Sequence, residues 1–339
     1  MNYFNLNKIL VISGIAALSF LIAFLFWWRW DGNVIGYKNG QQSGKQSVAS
    51  LTGLVCENYS NRPVAVMMAS DPIARPLSGI SQADIVIEMP VTPNGITRMM
   101  AIFQCELFGN AQGEESFEIG SIRSAREDFL PLVASFGAIY AHWGGEREAL
   151  SKLDSGVLDN IDALKYEGTV FYRKSSVPRP HNGFTTLKLI TEKAKELEYS
   201  LSDSFSGYIR EGSKIERNLN NLTGVVSINY PQPYNVNWSY DSTSDKYKRT
   251  RGGEPELDDN NGEQVRTDVV IVMHTTSKIL NRDYVSVDVK SGGEAEFYQS
   301  GVRSGGYWEN LGNNLKFYDN NRQEMKFVPG KIWIEIVTK

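Results

Sequence analysis

An uncharged apolar run near the N-terminus places the tightest limit on how this chain can fold. Ile9 to Trp28 spans twenty residues and contains no Asp, Glu, Lys or Arg. As a helix, at ~1.5 Å per residue, it is roughly 30 Å long and matches the hydrocarbon core of a bilayer. Aromatic residues and an arginine follow in Trp27 to Trp30, where an interfacial anchor would lie. These bulky residues also stand where a signal peptide would be cleaved. The sequence therefore predicts a retained single-pass transmembrane anchor over residues 1–30.

The segment after this anchor predicts a flexible tether. Residues 31–53 are rich in Gly, Ser, Gln and Asn, a composition typical of a flexible coil. Lys8 precedes the apolar run, whereas Arg29, Lys38 and Lys45 follow it. The larger number of positive charges after the apolar run slightly favours a cytoplasmic location for the part of the chain that follows the tether. A tether suits either side of the membrane, so the orientation stays open.

Two patterns divide the rest of the chain near Ser200. Residues 54–200 alternate short apolar runs with helical spacing, which predicts an α/β domain with a mixed sheet. Residues 201–339 carry short β-type runs separated by Gly, Asn, Asp and Pro, which predicts an antiparallel sandwich or barrel. The predicted fold class is α+β. A net charge of −4 argues against a general nucleic-acid-binding surface.

Four arginines of the first domain, at predicted strand ends or loops, are candidates for an anion site. They are Arg75, Arg98, Arg123 and Arg126. A guanidinium is always charged and binds oxyanions in a fork, which suits this role. If Ser124 caps the helix predicted after it, the amides at that helix start would add donors. The alternative, that these arginines form structural ion pairs with nearby carboxylates, stays open.

Two histidines and three carboxylates extend this candidate site. His142 ends an apolar run before two glycines and His181 lies in a turn-rich loop, so each is a candidate base, acid or phosphate donor. The alternative is that both are structural, which is the interpretation we favour for His274. The carboxylates, expected at the same sheet edge, are Asp71, Asp84 and Glu88. No spacing selects a metal ion, so we predict none, and the sequence names no cofactor.

Cysteines and aromatic residues carry weaker signals. Cys56 precedes one predicted strand and Cys105 ends another, so the two either form a bridge or are unrelated thiols. The second domain is rich in large aromatic side chains, which more often fill a core than bind a ligand. They are Trp238, Tyr240, Tyr247, Trp308 and Trp333.

Several of these motifs together resemble one bacterial family. The motifs are Asn61-Arg-Pro-Val-Ala-Val, Arg75-Pro-Leu-Ser-Gly, Ala83-Asp-Ile-Val-Ile-Glu, Gly95-Ile-Thr-Arg, Ile119-Gly-Ser-Ile-Arg-Ser-Ala-Arg, His142-Trp-Gly-Gly, Pro180-His-Asn, Tyr247-Lys-Arg and Pro329-Gly-Lys-Ile-Trp. Over most of residues 52–339 the chain resembles the YerB-like bacterial envelope proteins, a family with paired N- and C-terminal domains of unknown function.

This resemblance implies location rather than activity. Members are exported and membrane-anchored, often as lipoproteins, which implies that the soluble part of this chain lies on the extracytoplasmic face. An oxidising compartment also favours a Cys56–Cys105 disulfide. The chain departs from the family in having no Cys just after its apolar run to accept a lipid.

A looser similarity of layout, to the LytR–CpsA–Psr envelope phosphotransferases, gives Arg98, Arg123 and Arg126 an analogous role on a lipid pyrophosphate. We therefore expect a membrane-anchored envelope protein that binds a phosphorylated lipid carrier or glycan precursor. Phosphoryl transfer is an open extension, so the sequence does not decide whether the chain is an enzyme. The alternative is a non-catalytic scaffold or regulator that contacts a protein of the cell-wall machinery.

Overall fold

The computed structural model describes residues 47–105, 117–211 and 223–339. All of these residues fall within one unit, Ser47–Lys339. No helix in the described part of the chain is long and apolar enough to cross a membrane. The predicted anchor and most of the predicted tether lie outside the described residues.

The first half of the chain alternates strands and helices, as its sequence pattern predicts. The strands are β1 (Val64–Ala69), β2 (Ile85–Pro90), β3 (Thr97–Phe103), β4 (Glu118–Gly120), β5 (Ile139–His142), β6 (Asn160–Asp162), β7 (Tyr172–Arg173) and β8 (Gly183–Thr186). The helices are α1 (Leu130–Ser135), α2 (Arg147–Asp154), α3 (Ala163–Tyr166) and α4 (Leu187–Glu196). Helix α1 begins at Leu130, next to Pro131, because proline has no amide hydrogen and fits only the first turn of a helix.

The described second half consists of strands. They are β9 (Val225–Ile228), β10 (Val236–Asp241), β11 (Lys246–Arg251), β12 (Glu254–Pro255), β13 (Arg266–Thr267), β14 (Val269–Thr275), β15 (Ser277–Ile279), β16 (Val285–Val287), β17 (Gly292–Gln299), β18 (Val302–Asn310), β19 (Leu315–Asp319) and β20 (Ile332–Thr338). The β-rich character predicted after Ser200 is therefore confirmed for these residues.

The predicted separate sandwich or barrel is wrong, because both halves build one sheet. Ten strands follow the order β19-β18-β17-β14-β20-β2-β3-β1-β5-β6. The last strand of the chain, β20, lies between β14 and β2 and is parallel to both. Strand β2 is buried on both faces, as expected for a central strand in a sheet covered on both sides. The division near Ser200 is thus a change of pattern along the sequence rather than a break in the sheet.

Each face of this ten-stranded sheet has its own apolar core. On one face, Phe129 and Val133 of the α1 region pack with Phe297 and Trp308. On the other face, the smaller antiparallel sheet of β9 to β13 brings Trp238 into a core with residues of β1, β2 and β14. The aromatic residues of the second half are therefore mainly core residues: Trp238, Tyr247, Trp308 and Trp333 are buried.

A buried charge network joins the two sheets. Arg249 and Arg251 on β11 face Glu88 on β2 and Glu335 on β20, and all four are at most 2% exposed. Arg251 Nη1 donates to Glu88 Oε1 at 2.8 Å, and Arg249 Nη2 donates to Glu335 Oε1 at 3.0 Å. Glu256 also pairs with both arginines. Removing one partner from such a network leaves a buried charge without compensation, which is strongly destabilising. The network therefore holds the two sheets in register.

The start of the described chain corrects the predicted tether. Ala49, Leu51 and Thr52 are at most 1% exposed, so the last residues of the 31–53 segment belong to the folded body. Cys56 and Cys105 form a disulfide, with their Cα atoms 5.8 Å apart. The bridge implied by the family resemblance is thus confirmed.

Candidate functional site

The candidate site lies at one edge of the large sheet. Strands β1, β2, β5, β6, β14 and β20 all run in the same direction, so their carboxyl ends meet at this edge. Ligands of open α/β sheets bind in the crevice outside such carboxyl ends. Residues 121–123 run along the end of β1, where Ala69 N donates to Ser121 O and Arg123 N donates to Met67 O. This pairing brings the predicted arginine-bearing turn beside the residues that follow β1.

Arg98 lies deepest in this region, near the start of β3. Its side chain is buried, and Nη1 donates to the carbonyl oxygen of Ser124 at 3.1 Å. Its Nε, also buried, has no hydrogen-bond partner among the described residues. Burial, followed by the charges of Arg123 and Arg126, lowers the pKa of Arg98 to about 9. A guanidinium that is repelled and incompletely hydrogen-bonded would be relieved by an anion.

Arg123 and Arg126 complete a group of three. Arg123 Nη1 donates to the carbonyl of Pro180 at 3.2 Å, and burial lowers the pKa of Arg123 while Asp71 raises it. Arg126 is 3.4 Å from Glu146 Oε2. Both side chains have a buried Nε with no partner in the described part of the chain. We call Arg98, Arg123 and Arg126 the arginine cluster.

His181 and Asp71 lie beside the arginine cluster. His181 Nδ1 is 3.8 Å from Asp71 Oδ2, and both atoms are buried without a hydrogen-bond partner in the residues described. Asp71 Oδ1 accepts from the hydroxyl of Tyr234 at 3.3 Å. Burial and then the charge of Arg123 lower the pKa of His181, although Asp71 opposes this shift. The imidazole is therefore neutral near pH 7 and can donate through one ring nitrogen.

Arg75 and Ser124 do not take their predicted places. Arg75 donates to the carbonyl of Ser70 at 2.7 Å, and its pKa is lowered to about 10 by burial and by Arg251, which places it nearer the buried network. Ser124 contributes its carbonyl to Arg98, not a helix cap. The 3₁₀ turn before α1 has no side-chain cap, and the amide of Glu127 donates to the Glu146 carboxylate at 2.5 Å. The first amide of this turn is thus already bonded to a carboxylate of the protein.

His142 is a structural residue. It is fully buried at the end of β5. Its Nδ1 lies 2.8 Å from the carbonyl oxygen of Gly144, and its Nε2 lies 3.2 Å from Asn160 Oδ1. With both ring nitrogens engaged, His142 holds the turn after β5 and is not available as a base or phosphate donor.

Only one of the three predicted carboxylates lies at the site. Asp84 precedes β2 at the opposite edge, where Oδ2 accepts from the backbone amides of Gln104 and Cys105 at 2.7 and 3.2 Å. Glu88 points into the network with Arg249 and Arg251. The structure thus contradicts the expected grouping of Asp71, Asp84 and Glu88 at one edge.

Two tyrosines at the site escaped sequence analysis. Tyr140 of β5 is fully buried, and its hydroxyl interacts with the charge of Arg98 and with the backbone of Arg126. Tyr284, beside the β15–β16 hairpin, stacks on Arg126 with the guanidinium carbon 4.4 Å from the ring centroid. Tyr140 has no local signal beyond its place in an apolar run, and Tyr284 is more than 150 residues from its partner.

A groove of about 620 Å³ lies farther along the same edge. It lies between β9 and the β15–β16 hairpin, over the ends of β14 and β20. His274 Nε2 is 3.0 Å from Glu296 Oε1 in the wall of this groove, so His274 is hydrogen-bonded yet partly exposed. This groove is the second feature of the edge that can accept a ligand.

Comparison with known proteins gives consistent matches. A family model described as "Protein of unknown function (DUF3048) N-terminal domain" matches residues 51–200, and the corresponding C-terminal model matches residues 226–334. The protein named "Putative lipoprotein YerB" of Bacillus subtilis (strain 168) is 30% identical over 309 residues, 87% of each chain. The crystal structure of YerB from Bacillus subtilis matches with a TM-score of 0.76 at 30% identity, over 86% of this chain and 97% of that chain.

Proposed function

This chain belongs to the DUF3048 family, and on that premise we propose that it is a membrane-anchored envelope protein that binds a phosphorylated ligand at the arginine cluster. The observation that carries the proposal is the burial and electrostatic environment of Arg98. Its buried guanidinium is opposed by two further arginines and bonded to a carbonyl rather than to a carboxylate. A structural arginine of the same fold, Arg249, is by contrast surrounded by carboxylates.

Phosphate is the anion that this arrangement suits best. Three guanidiniums each offer a buried Nε–H that has no acceptor among the described residues, and Ser121, 1% exposed, has a hydroxyl in the same state. A phosphate monoester has three terminal oxygens and a charge near −2, so it can accept from several arginines at once. Release of the repulsion among the guanidiniums adds to the binding free energy.

The location outside the cytoplasm rests on three supports. The N-terminal sequence predicts a single-pass anchor, the similar YerB is named as a lipoprotein, and Cys56–Cys105 is a disulfide. Disulfides persist mainly in oxidising compartments. The expected ligands on that face are phosphorylated lipid carriers and glycan precursors.

Turnover of the ligand is a further step of this proposal. Arginines that bind a phosphoryl group can stabilise charge that develops on it during transfer. Asp71, the neutral His181 and Glu146, which pairs with Arg126, are groups at the site that can accept a proton. Binding is thus the primary proposal, and phosphoryl transfer extends it.

The test compares Arg98→Gln with the wild type, using the full chain in detergent and methyl phosphate as ligand. Ligand at 100 times its dissociation constant stabilises a protein by about 2.7 kcal/mol, which at 2–4 °C per kcal/mol raises the melting temperature by roughly 5 °C or more. We expect this shift in the wild type and none in Arg98→Gln. Because the guanidinium is buried and repelled, we also expect the variant without ligand to be as stable as the wild type.

Two controls separate binding from folding. Arg266→Gln removes the same charge from an exposed strand position and should leave the ligand-induced shift unchanged. Arg249→Gln removes an arginine of the buried network and should destabilise the protein with or without ligand. A wild type that is folded but unaffected by phosphate esters would refute the proposal.

The groove beside β9 favours a second candidate function, docking of a partner protein. Gly224 accepts from Tyr240 N of β10, so the alternate residues Val225 and Ser227 direct their backbone amides away from β10. An extended peptide could pair with this edge. Ser227→Pro would remove one donor; it should abolish crosslinking to a cell-wall protein if docking is the function, and leave phosphate binding intact.

A further inference from the structure

We propose that the ligand carries a hydroxyl group beside its phosphate, as a sugar phosphate does, and that Asp71 and His181 select this hydroxyl. The inference rests on the proposed anion site and specifies its ligand. The observation behind it is the gap between Asp71 Oδ2 and His181 Nδ1, which are 3.8 Å apart. Neither atom has a hydrogen-bond partner among the residues described.

The gap has the size of one bridging oxygen. A separation of 3.8 Å is too long for a direct hydrogen bond. An oxygen ~2.8 Å from each atom would see them at an angle of about 85°, which a hydroxyl can meet while it donates to one and accepts from the other. Asp71 Oδ2 accepts and the Nδ1–H tautomer of His181 donates. The two side chains therefore present the complement of an O–H group.

The carboxylate of Asp71 lies close enough to Arg98 and Arg123 to interact with their charges, and by itself it would weaken the binding of an anion there. Asp71 repels a phosphate, yet the only described hydrogen bond to its side chain comes from Tyr234. His181 is 8% exposed and also lacks a partner at Nδ1. A ligand that pairs its anion with the arginine cluster and its hydroxyl with Asp71 satisfies both kinds of group, whereas inorganic phosphate satisfies only the first.

An ammonium group fits less well. It could pair with Asp71, but it has no lone pair to accept a hydrogen bond from His181 Nδ1–H. It would also stand close to Arg123, whose charge affects both Asp71 and His181. The arrangement therefore favours a neutral hydroxyl over an amine.

The experiment measures the affinity of the full chain, in detergent, for methyl phosphate, glucose 1-phosphate and phosphoethanolamine by calorimetry. We expect glucose 1-phosphate to bind about tenfold or more tightly than methyl phosphate, the usual size of a hydrogen bond to a charged group. Equal affinities would overturn the inference and leave the anion site standing, with water bridging the gap. Tighter binding of phosphoethanolamine would also overturn it. If none of the three ligands binds, the proposed function itself is refuted.

Asp71→Asn should change the affinities for glucose 1-phosphate and methyl phosphate in opposite directions. The hydroxyl of Tyr234 needs an acceptor, so the amide oxygen should take the place of Oδ1 and the NH₂ group should replace Oδ2. The variant should lose its preference for glucose 1-phosphate and bind methyl phosphate at least as tightly as the wild type, because a negative charge is gone. A uniform loss of affinity for both esters would contradict the assigned role. His181→Phe, which keeps a ring but removes Nδ1, serves as the second variant and should also lose the preference.

Discussion

Glu88→Gln is the substitution that best tests how the two halves of the chain are held together. Glu88 is fully buried and receives hydrogen bonds from Arg249, Arg251 and Thr97. Burial raises its pKa, but the charges of Arg251 and Arg249 lower it more, and the result is about 2 rather than 4.5. At ~1.4 kcal/mol per pH unit, this difference corresponds to roughly 3 kcal/mol of stability near pH 7.

We expect Glu88→Gln to lower the free energy of unfolding by about 3 kcal/mol, the lower end of the range for breaking a buried ion pair. Because the pKa is depressed in the folded state, the stabilisation is present above about pH 4.5 and is lost as the pH falls toward 2. Urea unfolding at a series of pH values should therefore show a gap between wild type and variant that is full at pH 7 and narrows below pH 4.5.

Glu335→Gln is the matched control in the same network. Burial raises the pKa of Glu335 above its usual range, so its ionised form contributes less to stability than that of Glu88. The substitution should cost less than Glu88→Gln at pH 7. Equal costs for the two variants, or a Glu88→Gln gap that stays constant down to pH 3, would refute this account of the network.

Two further predictions concern the periphery of the fold. Removing the disulfide with Cys56→Ser and Cys105→Ser opens a loop with a sequence separation of 49, which should cost on the order of 4 kcal/mol by loop entropy; an unchanged urea midpoint would contradict this. Burial raises the pKa of Asp128 to about 6, so its contribution to stability is complete below about pH 4 and is lost as the pH rises through 6. Asp128→Asn should remove this decline from the pH profile, and identical profiles for variant and wild type would count against it.

The sequence predicted the elements of the fold better than their assembly. Short apolar runs, helical spacing and turn residues indicated which kinds of element each half contains, because each of these signals is local. The insertion of β20 between β14 and β2 leaves no local signal, since its partner in β2 lies more than 240 residues away along the chain. The second half was therefore mistaken for an independent sandwich or barrel.

For the site, too, local signals were more informative than contacts between residues far apart in the sequence. Arg98, Arg123 and Arg126 fall at the ends of elements that meet at one edge, and the structure places them close enough for their charges to interact. Asp84 was misplaced because it precedes its strand, and the amino end of β2 lies at the opposite edge. Glu88 was misplaced because its partner Arg251 is 163 residues away, a distance over which pairing cannot be read from spacing.

The measurement that tests the central claim most directly is a crystal structure of the protein soaked with tungstate, a heavy-atom analogue of phosphate. The account predicts an anomalous peak at the arginine cluster, placed so that the tungstate oxygens accept hydrogen bonds from the Nε atoms of Arg98 and Arg123, and loss of that peak in Arg98→Gln. Tungstate bound elsewhere, with the arginine cluster empty in an otherwise unchanged fold, would contradict it.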